Sequence, residues 1–339
     1  MALSQVGLER LNTDTTDKIG INKNLIINGA QEIAQRAVET TGNTTSGYTT
    51  VDRFQLAIGA AGTWTMTQST VTDLAGFSKA FKVNCSTANG DANNLSSSAG
   101  ILACQYRFEG QDVQGFHKGF SSAKQYALSF YVKSNKTGTY IVELLDNDNT
   151  RHICKSYTIS SPSTWEKKTL ILDADTTGKL DNDNDHSLQL RWYLAAGTNF
   201  TSGTLATSWA SASTTANKAV GNVNLAQATS NNWEITGVQL EVGSVATDFE
   251  HRSFAQELKL CERYYQESFE YHHLNASNGE TDRWIRFKTE MRAAPTVTTA
   301  PTNSCSFGVH VRTVNGFSGD GSGNSHANFN LGWTASSEL

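Results

Sequence analysis

Residues 126–133 read Tyr126-Ala127-Leu128-Ser129-Phe130-Tyr131-Val132-Lys133, and the fold class turns on them. Tyr126, Leu128, Phe130 and Val132 fall on one side of a period-two pattern, and Ala127, Ser129, Tyr131 and Lys133 on the other. That alternation predicts a β-strand with one buried face. After a turn at Asn135–Gly138, Thr139–Leu145 is apolar on both sides, with Ile141 and Leu145 on one and Val142 and Leu144 on the other. The two segments are expected to pair as a hairpin.

The same pattern recurs on either side. Leu188, Leu190, Trp192 and Leu194 alternate with Gln189, Arg191 and Tyr193, and Ile235, Val238, Leu240 and Val242 follow with Gly237 interrupting them. Strands at this density, divided by Gly, Asn and Asp clusters, predict a mainly β protein whose body is an antiparallel jelly roll or β-sandwich. No βαβ alternation is visible, which disfavours a parallel α/β enzyme fold. Composition agrees. Of 339 residues, 38% are hydrophobic and 17% charged, both below the usual share. Thr, Ser and Asn fill the difference; they compete with helical backbone hydrogen bonds and suit turns and sheet surfaces.

The chain divides into an N-terminal arm at 1–23, the sandwich at 24–250, a connecting helix at 251–270 and a small C-terminal β tip domain at 271–339. The arm has only Val6, Leu8, Leu11 and Ile19 as apolar content and is expected to dock on another structure. It has no apolar core of a signal peptide. The run Leu25-Ile26-Ile27 closes at an Asn28-Gly29 turn, with a short helix or strand expected through Arg36. The one clear helix covers Ser253–Tyr271, opened by a Ser253/Gln256 capping box. Its Phe254, Leu258, Cys261 and Tyr265 are spaced four, three and four, a short heptad seam. The seam fits either symmetry mates in a homotrimer or the end of the chain's own sandwich. Short strands are expected at Trp284–Phe287, Thr296–Thr298, Phe307–Val314 and Phe329–Trp333, with Ser318–Asn324 as an exposed loop tip.

Several function classes fall away. Twenty-seven basic residues against 32 acidic ones leave a net charge of −5, and no Lys/Arg cluster provides a nucleic-acid footprint. No apolar stretch approaches the roughly 18 residues of a membrane span. Cys85, Cys104, Cys154, Cys261 and Cys305 are scattered without a C-x-x-C and read as free thiols of a reducing compartment. No G-x-S-x-G, H-E-x-x-H, P-loop or dinucleotide fingerprint is present, so no enzyme is expected. The cofactor candidate is a structural calcium ion at Asp181, Asp183 and Asp185, which have the spacing that opens a calcium loop. His186 and Trp192 stand where an EF-hand needs Gly and Glu. Tryptophan faces can stack on the apolar face of a pyranose, which makes Trp64, Trp165, Trp209, Trp284 and Trp333 candidate ligand contacts. Trp192 and Trp233 lie inside alternating strands and read as core.

Three blocks carry a family resemblance. Asn24–Gly29 with Gln35-Arg36, Tyr48 and Asp52-Arg53-Phe54 resembles a segment recurrent in tail-fibre and virion structural proteins of marine phages. Ile235–Gly243, Ala246–Glu250 and the helix Glu257–Tyr265 look like the next block of that family. Met291–Val297 and Trp333–Leu339 match its closing portion. Between the first two blocks, Tyr106–Val113 and Tyr126–Ser134 resemble the jelly roll of carbohydrate-binding modules. The resemblance implies a virion component, assembled in the host cytoplasm, that binds host-surface glycan, commonly as a homotrimer. Its arm would contact other tail or capsid proteins. A capsule depolymerase and a purely structural appendage are the rival readings. The family is defined by scaffold motifs, so no binding residue carries over from it.

Overall fold

The computed structural model describes residues 23–273, 281–302, 306–322 and 328–339. The expected arm, save Lys23, lies outside the described residues, as do Cys305, Gly323 and Asn324.

Two six-stranded antiparallel sheets stack face to face. The first runs β1 (Glu39–Asn43), β3 (Thr63–Thr70), β4 (Lys79–Thr87), β12 (Asn232–Val242), β6 (Tyr126–Ser134) and β9 (Glu166–Leu172). The second runs β11 (Ala210–Ser211), β8 (Arg151–Ile159), β7 (Gly138–Asp146), β10 (His186–Ala196), β5 (Ile101–Glu109) and β2 (Gln55–Gly59). Period two explains the layering: the inward residues of both sheets form one core. Phe130 of the first sheet meets Tyr157 and Trp192 of the second edge-to-face, at 5.2 and 5.8 Å between ring centroids. Trp192 and Trp233 are core, as expected. The mainly β jelly-roll sandwich expected from the alternation is the fold observed.

The expected hairpin does not form. β6 and β7 belong to opposite sheets, so residues 135–137 cross between layers. The two-sided apolar pattern of β7 held the signal. Val142 and Leu144 face the main core, while Ile141 packs in a second cluster with Tyr193, Ala206 and Ala219 on the outer side.

Gly237 marks a bulge in β12. Register with β6 shifts between Thr236 and Gln239, and Gly237 sits at φ +59°. Trp233 and Ile235 face the core before it, Val238 and Leu240 after it, as one inserted residue requires. β4 pairs with β12 only over Asn232–Ile235. Beyond that, residues 24–29 take its place: the Leu25 N–H donates to Leu240 O at 3.0 Å and the Val238 N–H to Gly29 O at 2.9 Å. A Cβ on Gly29 would stand 2.2 Å from Val238 O. The segment after it is neither helix nor strand. Asn28 and Gln31 hold left-handed conformations, and the Asn28 side chain bonds Ile33 N, Ile33 O and Asp52 O instead.

Helix α1 spans Phe254–Glu262 with the expected capping box. It stops nine residues short of the expected Tyr271, because Tyr265–His273 forms β13. β13 joins β18 (Asn328–Ser336) and β15 (Thr296–Pro301) in one three-stranded sheet. β14 (Thr281–Arg286), β17 (Gly316–Ser322) and β16 (Ser306–Thr313) form another. Ile285, Met291, Phe317, Leu331 and Trp333 share their core. Ser318–Ser322, expected in a loop tip, belongs to the central strand β17, where glycine allows close packing: a Cβ on Gly319 would lie 2.4 Å from Phe307. Among the described residues no helix is long and apolar enough to cross a membrane.

A buried polar junction ties this C-terminal unit to the sandwich. Arg263 donates twice to Glu109, at 2.8 and 2.7 Å, and the Tyr264 hydroxyl donates to it at 2.6 Å. Arg53 pairs with Glu338, and Arg36 bridges Glu338 at 3.1 Å and Asp52 at 3.3 Å. Arg107 donates to the Leu339 carbonyl. The Asn28 N–H donates to Glu257 of α1 at 2.6 Å.

Candidate functional site

The outward side of β6 and β9 is where aromatic and polar groups meet solvent. Ser129 and Tyr131 of β6 stand opposite Thr169 and Lys167 of β9. Phe77, at the end of the loop joining β3 to β4, packs on Tyr131 at 5.2 Å, on Phe249 at 5.1 Å and on His251 at 5.3 Å. These rings border a groove of about 260 Å³, shared with Ala75, Ser129, Lys167, Gly237 and Asp248. The β12 bulge makes room for them. A Cβ on Gly237 would lie 2.7 Å from Phe77 and 2.9 Å from Tyr131, so both rings lie directly on backbone.

Charge on this face is mostly compensated. Lys133 lies 3.3 Å from Asp73 and 4.0 Å from Glu234, and Glu234 lies 3.3 Å from Lys82. Trp165 is held at the edge of this strip: its indole N–H donates to Asp73 at 2.9 Å and the Lys133 ammonium sits 4.7 Å from its ring. Desolvation works against ionisation of Asp73, yet Trp165 and Lys133 together hold its carboxyl below the usual range. Lys167 makes one described contact, 5.9 Å from the Tyr131 ring. Among the described residues neither the Lys167 ammonium nor the Asp248 carboxylate has an ion-pair partner. A face of this kind can grip a neutral, hydroxyl-rich molecule by ring stacking and hydrogen bonds.

The five candidate tryptophans scatter over the molecule. Trp165 alone borders the groove face. Trp64 and Trp333 are buried, so neither offers a face to a ligand. Trp64 donates its N–H to Ala61 O at 2.9 Å inside the sandwich, and Trp333 belongs to the C-terminal core. Trp209 is half-buried, donates to Asp173 O at 2.6 Å and lies 4.9 Å from the Lys118 ammonium. Trp284 is 47% exposed on β14, in the C-terminal unit.

Among the described residues the calcium expectation finds no converging ligands. Asp181, Asp183 and Asp185 are exposed, and they do not cluster within ligating distance. Asp185 faces Arg292 at 3.3 Å, and the Asp183 carboxylate accepts the Asp185 N–H. The helical seam is also divided. Cys261 and Tyr265 are buried against their own chain, with Arg36 3.8 Å from the Tyr265 ring. Leu258 is half-buried and Phe254 is 60% exposed. The four described cysteines are all unpaired and buried.

The outward side of the second sheet is polar but sealed. Gln189 donates to Gln105 at 2.7 Å, Arg191 reaches Gln189 at 3.2 Å and Glu143 at 3.0 Å, and Glu143 meets His152 at 2.9 Å. Phe200, Ala206 and Ala219 pack over it. Burial opposes ionisation of Glu143, but His152, Arg191 and Lys218 hold its pKa at about 2. Glu143, His152 and Cys154 offer ligand atoms within 4.8 Å of one another. The setting disfavours a cation all the same. Arg191 and Lys218 already compensate Glu143, and burial keeps the Cys154 thiol protonated. Nor is this a nucleophile relay, since Cys154 and Glu143 both contact the same His152 Nδ1.

Sequence reasoning missed Phe77, Tyr131, Phe249 and His251 as a group. One signal existed: Tyr131 is a large aromatic on the polar side of an alternating strand. Phe77 and Phe249 lie in irregular segments with no periodicity to place them.

No protein-family model and no curated protein matches the chain. Among solved structures it is similar to the enzymatically active domain of tailspike protein 4 of bacteriophage CBA120, at 10% identity and TM-score 0.32 over 65% of this chain. The chain spans 21% of that protein. It is also similar to a protein described under CBM4 structure and function, at 12% identity and TM-score 0.31, covering 63% of this chain and 97% of that one. A third is a family 11 carbohydrate-binding module from Clostridium thermocellum in complex with a β-1,3-1,4-mixed-linked tetrasaccharide. It shows 14% identity and TM-score 0.28, with 63% and 99% covered.

Proposed function

We propose that this chain is a glycan-binding subunit of a phage tail fibre, holding host-surface sugar reversibly in the groove of the first sheet. The observation that carries the binding reading is the ring cluster Phe77, Tyr131 and Phe249 beside the unpartnered Lys167 and Asp248. Aromatic faces cover the apolar side of a pyranose, and the polar groups at the rim receive its hydroxyls. The virion setting is supported by the motif resemblance of the scaffold blocks. Assembly as a homotrimer would multiply weak sites through multivalency, and the exposed Phe254 and Leu260 are the α1 side chains free to meet a second copy.

Binding without cleavage is the reading favoured here. A glycosidase works through a pair of free carboxyl groups set about the scissile bond, whereas Asp73, the acid beside Trp165, is already engaged by the Trp165 indole and the Lys133 ammonium.

Probing the full chain on an array of defined oligosaccharides tests this. Retention on at least one neutral glycan, lost in Tyr131→Ala and Phe249→Ala variants with native melting, is the expected result. Equal retention by the variants, or none by the native chain, removes the groove from consideration. Shortening of a bound polymer would reverse the non-enzymatic assignment.

A further inference from the structure

The groove does not end at Tyr131. Along the outward side of β9, Thr169, Lys167 and then Trp165 just before the strand recur at every second position. Four residues of extended chain cover about 13 Å, longer than a single sugar ring. Lys133 and Tyr131 of β6 run beside them: Tyr131 is paired with Lys167, and the Lys133 ammonium lies 4.7 Å from the Trp165 ring. Trp165 thus stands at one end of the strip, and Tyr131 lies two positions along it, directly across from the unpartnered Lys167. Trp165 is only half-buried, and its orientation is set by its bond to Asp73.

Resting on the glycan reading above, we infer that Trp165 forms a second sugar subsite, so that the face takes a linear, neutral oligosaccharide laid along β9 and not an isolated terminal sugar. Neutrality follows from the charges. Asp73, Lys133, Glu234 and Lys82 compensate one another, and the two charged groups that line the groove itself, Lys167 and Asp248, are of opposite sign. An acidic polymer would gain from Lys167 only what it lost to Asp248. Lys167, across from Tyr131 and two positions from Trp165, is then a hydrogen-bond donor to the hydroxyls of a chain laid along the strip.

Affinity against chain length tests the inference. Cello-, manno- and xylo-oligosaccharide ladders, from monosaccharide to hexasaccharide, are titrated into the full-length chain by calorimetry, with oligogalacturonate as the acidic control. The inference expects affinity to climb up to the trisaccharide and then level off. Trp165→Ala should weaken trisaccharide binding about tenfold, one ring-stacking contact at the upper end of its range, and leave monosaccharide binding alone. Lys167→Ala removes an exposed side chain with no ion pair among the described residues, and should weaken the trisaccharide as well, which guards against a Trp165 variant that fails to fold. Affinity that is flat with length, or indifferent to both substitutions, overturns the second subsite while leaving a single-sugar groove intact. Tighter binding of oligogalacturonate than of every neutral ladder overturns the neutral assignment. Absence of binding to all ladders by the native chain defeats the glycan reading and the subsite together.

Discussion

Arg53 and Glu338, 285 residues apart in the chain, form a buried ion pair, with the guanidinium 3.4 Å from the centroid of the Tyr264 ring. Arg53 is 1% exposed, and its second nitrogen donates to Arg107 O at 2.8 Å. The pair sits where sandwich, helix and C-terminal unit meet, so its loss should be felt by all three.

Removing one partner strands a buried charge. Glu338→Gln should lower unfolding free energy by about 3–5 kcal/mol, whereas Arg53→Met combined with Glu338→Leu should recover much of that loss. Denaturant unfolding of the two variants distinguishes the cases. A single substitution that shifts stability by under about 0.5 kcal/mol would show the pair to be incidental.

Glu143 makes the sandwich sensitive to acid. Its pKa is held at about 2 when folded, against an ordinary 4.5, so the unfolded chain takes up the proton first. Stability from this group is present above about pH 4.5 and is lost as pH falls toward 2, by about 3 kcal/mol in all. Glu143→Gln should flatten that slope, and should also cost stability at neutral pH by leaving Arg191 and Lys218 uncompensated. Unfolding curves across this range would check both effects.

Asp52 works in the opposite sense. Burial pushes its carboxyl up to about 6, with Arg36 and Gln35 only partly offsetting it. The folded chain therefore keeps this proton after the unfolded chain has released it. Stability should fall as pH rises from about 4 to 6, by up to about 3 kcal/mol. Asp52→Asn should remove the fall, and a stability profile unchanged by that substitution would contradict the assignment.

Gly237 supports the groove from beneath. Alanine there meets Phe77 and Tyr131 below 3 Å at a left-handed φ. Gly237→Ala should cost about 1–3 kcal/mol and reduce glycan retention more than melting temperature alone explains. Native retention in that variant would show that the rings tolerate displacement.

Much of the fold was legible because period-two alternation reports burial directly: β6, β10 and β12 carry it in their side chains. Pairing was harder. Nothing local to Thr139–Leu145 distinguishes a hairpin partner from a strand of the facing sheet, and only the second apolar layer over Ile141 explains its two-sided pattern. The helix was overextended because Tyr264 and Tyr265 continue a helical spacing while their partners, Glu109 and Arg36, lie far away in sequence. The tryptophans misled for a related reason, since an indole is equally at home in a core and on a surface. The motif blocks behind the family resemblance prove to be neighbours in space: Asn28, Asp52, Arg53, Glu257, Tyr264 and Glu338 all belong to the junction.

That junction bears on how the molecule folds in time. Bringing Arg53 onto Glu338 closes a loop that contains nearly every strand of the protein, and closure entropy grows only logarithmically with loop length. The burden therefore falls on rate more than on equilibrium, since chains rich in contacts between residues far apart in sequence fold slowly. Until that loop closes, the Arg53 guanidinium lacks its counter-ion, so the junction is complete only once Glu338 has reached it.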